Sequence, residues 1–192
     1  GSDDKTVKLW NTETGENIRT LNGHMSGVNS VSFSPDGKYI CSGSSDDTMK
    51  LWDTNTGETV HTLNGHKSFV ISVSFSPDGK YICSGSDDKT VRLWNVDTGE
   101  NIRTLNGHTK DVNCVSFSSD GKYICSGSDD RTVRLWNVDT GVNIRTLNIH
   151  FHEVYSVAFS PNGKYICLGS RDVYVRLWNT ETGETIGTLN GH

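Results

Sequence analysis

The chain repeats itself every 42 residues. Its five tryptophans keep that interval, at Trp10, Trp52, Trp94, Trp136 and Trp178. The Gly-His pairs keep it as well, except that Ile149 stands in place of the glycine before His150. A fixed period near 40 residues is typical of stacked copies of one small unit, because no single copy can bury its own apolar face. The sequence therefore predicts one array of repeats and not a set of independent domains.

Each copy contains four short segments with the pattern of a β-strand. In residues 66–108, Val70–Phe75 alternates apolar and polar side chains, and three further segments follow at Tyr81–Ser84, Thr90–Trp94 and Asn101–Leu105. The Ser-Pro-Asp-Gly sequence between the first two segments is typical of a tight turn, and no segment has the 3.6-residue period of a helix. The pattern predicts an all-β fold, a β-propeller of four-stranded antiparallel blades.

The repeat divides the chain into a half-blade and four full blades. Residues 1–24 match residues 169–192 and supply only a third and a fourth strand. The blades that follow are predicted at residues 25–66, 67–108, 109–150 and 151–192. Such an arc exposes an apolar blade face at each end. We expect either that the chain is a fragment of a longer propeller or that it is a homo-oligomer whose copies close a ring, two chains supplying eight blades.

Several features of each copy resemble the WD-repeat propeller family. They are the Gly-His start, the Ser-Pro-Asp-Gly turn, the Ser-Gly-Ser-Asp-Asp-x-Thr-Val segment and the Leu-Trp-Asp or Leu-Trp-Asn end. The resemblance covers the whole chain, although Trp-Asp itself occurs only as Trp52-Asp53 and the other four copies have asparagine. It implies a scaffold that mediates protein–protein interaction and has no catalytic activity of its own.

The resemblance also implies a hydrogen-bonded chain of Trp, Ser, His and Asp inside each blade. A hydrolase triad is the competing interpretation, but an enzyme needs one such site, whereas a structural link recurs in every blade. The implied members are His24, Ser42, Asp46 and Trp52, then His66, Ser84, Asp88 and Trp94, then His108, Ser126, Asp130 and Trp136, and finally His150, Asp172 and Trp178. In the last set Leu168 occupies the serine position, and a serine there is expected to stabilise the blade by about 1 kcal/mol.

The copies differ most just after the Gly-His pair. Residues 67–108 and 109–150 differ at 9 of 42 positions, and five of these lie within six residues of the histidine. In the WD-repeat family, the two positions that flank the valine of this segment and the residue before the network aspartate line the top face around the channel mouth. By that resemblance the top face consists of Gly27, Asn29, Ser45, Phe69, Ile71, Asp87, Asp111, Asn113, Asp129, Glu153, Tyr155 and Arg171.

The composition of this top face predicts a kind of partner. Phe69, Ile71 and Tyr155 are apolar or aromatic where exposure to solvent is expected, and aromatic anchors are enriched at binding hot spots. Four acidic residues surround them. We expect a protein or peptide ligand that carries Lys or Arg together with an apolar side chain. The alternative is that the copies drifted apart without selection, in a recently amplified or engineered repeat module whose role is structural self-assembly, with no evolved ligand.

Charge and the remaining motifs argue against other functions. The net charge of −5 disfavours binding to nucleic acid, and no apolar stretch has the roughly 20 residues of a membrane span. The pair His150-x-His152 lacks a third metal ligand, so no metal or other cofactor is expected. The five cysteines are expected to be small buried apolar residues without disulfides, in a reducing compartment, the cytoplasm or the nucleus.

Overall fold

The computed structural model describes residues 1–148, 152–171 and 174–190. These residues form eighteen β-strands and no helix, so the prediction of an all-β fold is confirmed. Within the same ranges, no helix is present that could cross a membrane.

The strands form one two-stranded sheet and four four-stranded sheets. The half-blade consists of β1 (Thr6–Trp10) and β2 (Asn17–Asn22). Blade 1 consists of β3 (Val28–Phe33), β4 (Tyr39–Ser44), β5 (Met49–Asp53) and β6 (Thr59–Leu63). Blade 2 consists of β7 (Val70–Phe75), β8 (Tyr81–Ser86), β9 (Val91–Asn95) and β10 (Asn101–Leu105). Blade 3 consists of β11 (Val112–Phe117), β12 (Tyr123–Ser128), β13 (Val133–Asn137) and β14 (Asn143–Leu147). Blade 4 consists of β15 (Val154–Phe159), β16 (Tyr165–Ser170), β17 (Tyr174–Asn179) and β18 (Thr185–Asn190).

Each blade is an antiparallel meander in which every strand pairs with the next one in the sequence. The tight turn between the first two strands is set by local chemistry. In blade 2, Ser76 Oγ donates to Asp78 Oδ1 at 2.6 Å, and Gly79 has a φ of 73°, which glycine adopts without steric cost. The prediction of four-stranded antiparallel blades, four complete and one partial, is confirmed.

The apolar core lies between the blades. One face of blade 1, with Cys41 and Leu63, packs against Val73, Phe75 and Trp94 on the facing side of blade 2. The two later junctions repeat this packing with the equivalent residues. Because each blade buries its faces against its neighbours, the stability of one blade depends on the next one.

A glycine in the second strand allows this close approach. A Cβ atom added to Gly85 would lie 2.7 Å from Val112 Cγ1 of blade 3, and one added to Gly43 would lie 2.7 Å from Val70 Cγ1 of blade 2. Real carbon atoms do not approach so closely, so any larger residue at these positions would push two blades apart.

The cysteines agree only in part with the expectation from the sequence. All five are free thiols, and Cys41, Cys83, Cys114 and Cys125 are buried. Burial raises the pKa of the Cys114 thiol to about 12, which makes it unreactive. The expectation of burial is wrong for Cys167, which is exposed, because no blade within the described residues packs on that face of blade 4.

Candidate functional site

The predicted Trp, Ser, His and Asp side chains meet inside blades 1 to 3. In blade 2, Trp94 Nε1 donates to Ser84 Oγ at 2.9 Å, His66 Nε2 lies 2.7 Å from the same oxygen, and His66 Nδ1 lies 2.8 Å from Asp88 Oδ2. In blades 1 and 3 the corresponding distances are 2.7–2.8 Å, and they join His24, Ser42, Asp46 and Trp52 in one blade and His108, Ser126, Asp130 and Trp136 in the other. We call this arrangement the blade network.

The donors in the blade network have one direction. An indole nitrogen can only donate, so the serine oxygen accepts from tryptophan and its own hydrogen is directed at His Nε2. The histidine then accepts at Nε2 and donates from Nδ1 to the aspartate, which is the neutral tautomer. In agreement, burial lowers the pKa of His24, an effect that exceeds the opposing influence of Asp46.

The aspartate also holds the loop that follows the histidine. Asp46 Oδ2 accepts from the backbone N–H of Met25 at 2.7 Å, and its other oxygen accepts from the Thr48 hydroxyl at 2.6 Å. Burial alone would raise the pKa of Asp46, but the hydrogen bonds from Thr48, Met25 and His24 lower it to about 2. The network therefore fixes the segment in which the copies differ most.

The blade network has the donor order of a Ser-His-Asp triad but not its accessibility. Ser42, Ser84 and Ser126 are fully buried, and each serine oxygen already accepts the tryptophan N–H. A nucleophile must reach a substrate carbonyl, and a hydroxyl enclosed between an indole and an imidazole does not. The arrangement supports a structural role in each of these three blades.

Blade 4 lacks the middle of the network. Its His150 and Asp172 lie outside the described residues. Leu168, at the serine position, is completely buried, as is Trp178, and Trp178 Nε1 has no hydrogen-bond partner in the part of the chain that the structure describes. Leu168 packs in the core between blades 3 and 4, so a serine at this position would lose apolar packing as well as supply a hydrogen-bond partner.

The structure brings the predicted top-face positions together in each blade. The backbone N–H before the network aspartate donates to the carbonyl of the residue before the valine: Ser45 to Gly27 at 2.9 Å, Asp87 to Phe69 at 3.0 Å, Asp129 to Asp111 at 3.0 Å and Arg171 to Glu153 at 3.1 Å. These repeated bonds bring the two variable segments of each blade together at the same edge of the blade.

Two of the top-face residues also hold neighbouring blades together. Asn29 Nδ2 donates to Ser45 Oγ and to the Val70 carbonyl of blade 2, both at 3.0 Å. Asn113 Nδ2 donates to Asp129 Oδ1 at 2.6 Å and to the Val154 carbonyl of blade 4 at 3.0 Å. The side chains of these asparagines are therefore already engaged, and the sequence did not indicate this role.

The remaining top-face residues combine acidity with exposed apolar surface. Asp87, Asp111 and Asp129 are half-buried, and burial together with the negative charges of its neighbours raises the pKa of Asp87. Phe69 is 47% exposed and Tyr155 is 52% exposed. Ile71 is half-buried, and Arg171 is exposed. The predicted top face thus combines two exposed aromatic side chains with a group of acidic residues and one exposed arginine.

A second set of contacts joins the blades at their outer strands, and the motifs of the sequence did not predict it. Arg19 Nη1 and Nη2 donate to the carbonyls of Thr56 and Asn55 in the next copy, at 2.8 and 2.7 Å. The equivalent residues Arg103, Arg145 and His61 make the corresponding contacts to the turns of the following copies. The recurrence of a basic residue at this position in four copies, at the 42-residue interval, could have indicated these contacts.

No group of His, Cys, Asp and Glu side chains in the described ranges has the arrangement of a metal site. Of the pair considered in the sequence, His150 lies outside those ranges and His152 is exposed.

Stacked four-stranded blades, with a repeated internal network in three of them and variable loops at the same edge of each blade, define the fold as a β-propeller. The family model described as "Echinoderm microtubule-associated protein second beta-propeller" matches residues 1–150, and the model described as "WD domain, G-beta repeat" matches residues 141–179. The chain belongs to the WD-repeat β-propeller family.

Curated relatives match single repeats. Lissencephaly-1 homolog 1 of Paramecium tetraurelia is 54% identical over 41 residues, which are 21% of this chain and 10% of that protein. Nuclear distribution protein PAC1 of Coprinopsis cinerea is 55% identical over 38 residues, 20% of this chain and 9% of that protein. F-box-like/WD repeat-containing protein TBL1X of Mus musculus is 58% identical over 36 residues, 19% of this chain and 7% of that protein. The matched part of the chain thus spans a tenth or less of each relative.

Proposed function

We propose that this protein is a non-enzymatic scaffold that binds a protein or peptide through the top face. The ligand carries a lysine or arginine next to an apolar side chain. The observation that carries the proposal is the exposure of Phe69 and Tyr155 beside half-buried carboxylates.

The carboxylates favour a cationic partner. Burial, together with the negative charges of Asp111 and Asp129, raises the pKa of Asp87, so the mutual repulsion of these carboxylates is a cost in the free protein. A bound ammonium or guanidinium group would offset that repulsion and form charge-assisted hydrogen bonds. Such an electrostatic contribution weakens as salt is added.

The aromatic residues supply the apolar part of the contact. The backbone carbonyl of Phe69 accepts a hydrogen bond from the backbone N–H of Asp87, so an apolar anchor and a residue with a carboxylate are neighbours in blade 2. Burying an exposed phenylalanine against a ligand contributes up to about 1.5–3 kcal/mol. The pairing of one anchor with a group of acids favours a short motif in which a basic and an apolar residue are close in sequence.

Selection from a random peptide library tests the proposal. We expect the wild-type chain to enrich peptides that contain Lys or Arg near an aromatic or aliphatic residue, and we expect the Phe69→Ala/Tyr155→Ala variant to lose this enrichment. The matched control is Ile102→Ala/Ile144→Ala, which removes two similarly exposed apolar side chains from the outer strands. If the top-face variant selects the same peptides as the wild type, this surface is not the binding site.

Structural self-assembly without an evolved ligand is the second candidate function, and the exposure of Val31 and Phe33 on blade 1 and of Leu189 on blade 4 favours it. In either case we place the protein in a reducing compartment, the cytoplasm or the nucleus. Five free cysteines, four of them buried, support that location.

A further inference from the structure

The first and the last full blade expose different halves of the same repeated interface. We call the face of a blade that packs against the preceding blade its leading face, and the face that packs against the following blade its trailing face. On the leading face of blade 1, Val31 is 43% and Phe33 is 53% exposed, whereas their equivalents in blade 2, Val73 and Phe75, are 6% and 7% exposed. On the trailing face of blade 4, Leu189 is 63% exposed, whereas the equivalent leucines of the other blades, Leu63, Leu105 and Leu147, are at most 6% exposed. Cys167 is exposed on the same trailing face.

We propose that the trailing face of one copy of this chain binds the leading face of a second copy, in the register of the three internal junctions. This inference goes beyond the proposed binding function because it involves neither the top face nor its ligand, and it gives the second candidate function, self-assembly, a specific interface. The internal junctions show which surface fits a trailing face, since each of them joins a trailing face to a leading face of nearly the same sequence.

The contact between a glycine and a valine defines the register. At the junctions inside the chain, Gly43, Gly85 and Gly127 lie against the valines that begin the next blade, so closely that an added Cβ would be 2.5–2.7 Å from a valine methyl group. The equivalent Gly169 of blade 4 meets only Ser156 of its own blade, with an added Cβ at 3.5 Å. On the leading face, Val28 already lies against Gly1 of the half-blade, where an added Cβ would be 2.5 Å from a valine methyl group. Gly169, which is equivalent to Gly1 in the repeat, is therefore an unmatched glycine that can take the place of Gly1 against Val28 of a second copy.

A hydrogen bond between blades supports the same register. Ser30 Oγ accepts from the backbone N–H of Val73 at 3.2 Å, and Ser72 Oγ accepts from that of Val115 at 3.1 Å. The next equivalent hydroxyl, Ser156, is exposed on the trailing face, and the next equivalent valine, Val31, is exposed on the leading face. The proposed contact pairs these two residues.

The half-blade has to leave the leading face for this contact to form. It covers the outer part of that face, through Val7 and Leu21 on Ile40 and Trp52. Blade 4 can replace these contacts because residues 1–24 and 169–192 differ at only 6 of 24 positions. As a full blade, it also supplies the two inner strands, which would cover Val31 and Phe33.

The exchange replaces an intramolecular contact by an intermolecular one, so the association depends on concentration. It also lacks one contact of the internal junctions, because Gly187 stands where Arg19, Arg103 and Arg145 reach the neighbouring turn. We therefore expect it to be weaker than the packing inside the chain.

Light scattering over a wide range of protein concentration tests the proposal. We expect the mass of the wild type to rise from the 21.2 kDa of one chain to a multiple of it. Gly169→Ala is expected to remain at the mass of one chain, because the added methyl group would meet Val28 of the second copy. The matched control, Gly187→Ala, is expected to associate as the wild type does, because larger side chains occupy this position at the internal junctions.

A second variant separates a failure of association from a failure of folding. Val31→Lys changes a residue that is exposed in the single chain, so circular dichroism should report a folded protein, and we expect it to stay at 21.2 kDa. Each of these two variants keeps one intact face, so mixing Gly169→Ala with Val31→Lys should restore a complex of two chains.

A wild type that keeps the mass of one chain at every concentration would overturn the proposal. So would an assembly that survives both Gly169→Ala and Val31→Lys, or a mixture of the two variants that does not combine. None of these outcomes bears on peptide binding at the top face, which is measured separately.

Discussion

Blade 4 has Leu168 where the other blades have the network serine, so the contribution of one hydrogen bond of the blade network can be measured by comparing two blades of the same protein. Trp94 and Trp178 occupy equivalent positions and are 1% and 0% exposed. Trp94 Nε1 donates to Ser84, whereas Trp178 Nε1 has no acceptor among the described residues. We predict that Trp94→Phe lowers the free energy of unfolding by more than Trp178→Phe does.

The expected difference in the free energy of unfolding comes from the indole N–H group, which has an acceptor in Trp94 and, among the described residues, none in Trp178. Both substitutions lose similar apolar packing, which largely cancels when they are compared. Trp94→Phe also removes a hydrogen bond that contributes about 1 kcal/mol net, whereas Trp178→Phe removes a buried donor that costs about 1–3 kcal/mol when unpaired. The two losses should therefore differ by about 2–4 kcal/mol, which is a large fraction of the stability of an ordinary domain.

Urea unfolding followed by far-ultraviolet circular dichroism measures both variants without relying on tryptophan fluorescence, which the substitutions themselves change. The comparison requires that the blades unfold together, and coincident transitions by circular dichroism and by hydrogen exchange check this requirement. Equal losses in the two variants, or a larger loss for Trp178→Phe, would refute the assignment of the network hydrogen bond as the source of the difference.

Two further predictions concern the same network. Leu168→Ser should lower the free energy of unfolding by about 1–2 kcal/mol, because the loss of a buried leucine costs about 2–5 kcal/mol and a partner for Trp178 offsets only about 1–3 kcal/mol; a rise in the urea midpoint would show that the hydrogen bond dominates. Stability should also fall in acid. Burial lowers the pKa of His24, so the unfolded chain takes up a proton first, and the contribution of His24 is complete above its unfolded pKa of about 6.5 and is lost as the pH falls below it. The pKa of Asp46, lowered from 3.8 to about 2, adds a further loss between those two values. A melting temperature that does not change between pH 7 and pH 5 would contradict the first part.

Much of the blade network could be read from the sequence because its members are chemically distinctive and recur at one interval. The same is true of the strands, whose alternation and turns are local. The chemistry of Leu168 predicted an interrupted network in blade 4, and the unpaired nitrogen of Trp178 agrees with it. The packing of Leu168 between two blades could not be predicted in this way, since it depends on how closely blade 3 approaches.

The top face was identified by likeness to the family and by divergence among the copies, and both signals concern position. Neither signal shows what a side chain already contacts. The amides of Asn29 and Asn113 are occupied by the carbonyls of neighbouring blades, so divergence at these positions reflects packing between blades as well as exposure. The exposure of Phe69 was expected from its position, and the structure agrees with it.

The sequence by itself determined the properties that repeat: the class of fold, the order of strands in a blade and the chemical members of the network. A period of 42 residues encodes these because every copy meets the same local constraints. Only the tertiary structure decided the properties in which equivalent residues differ. Cys83 is buried and Cys167 is exposed, and Val73 is buried where Val31 is not. Burial is set by the neighbouring blade, and equivalent residues in different blades do not have the same neighbours.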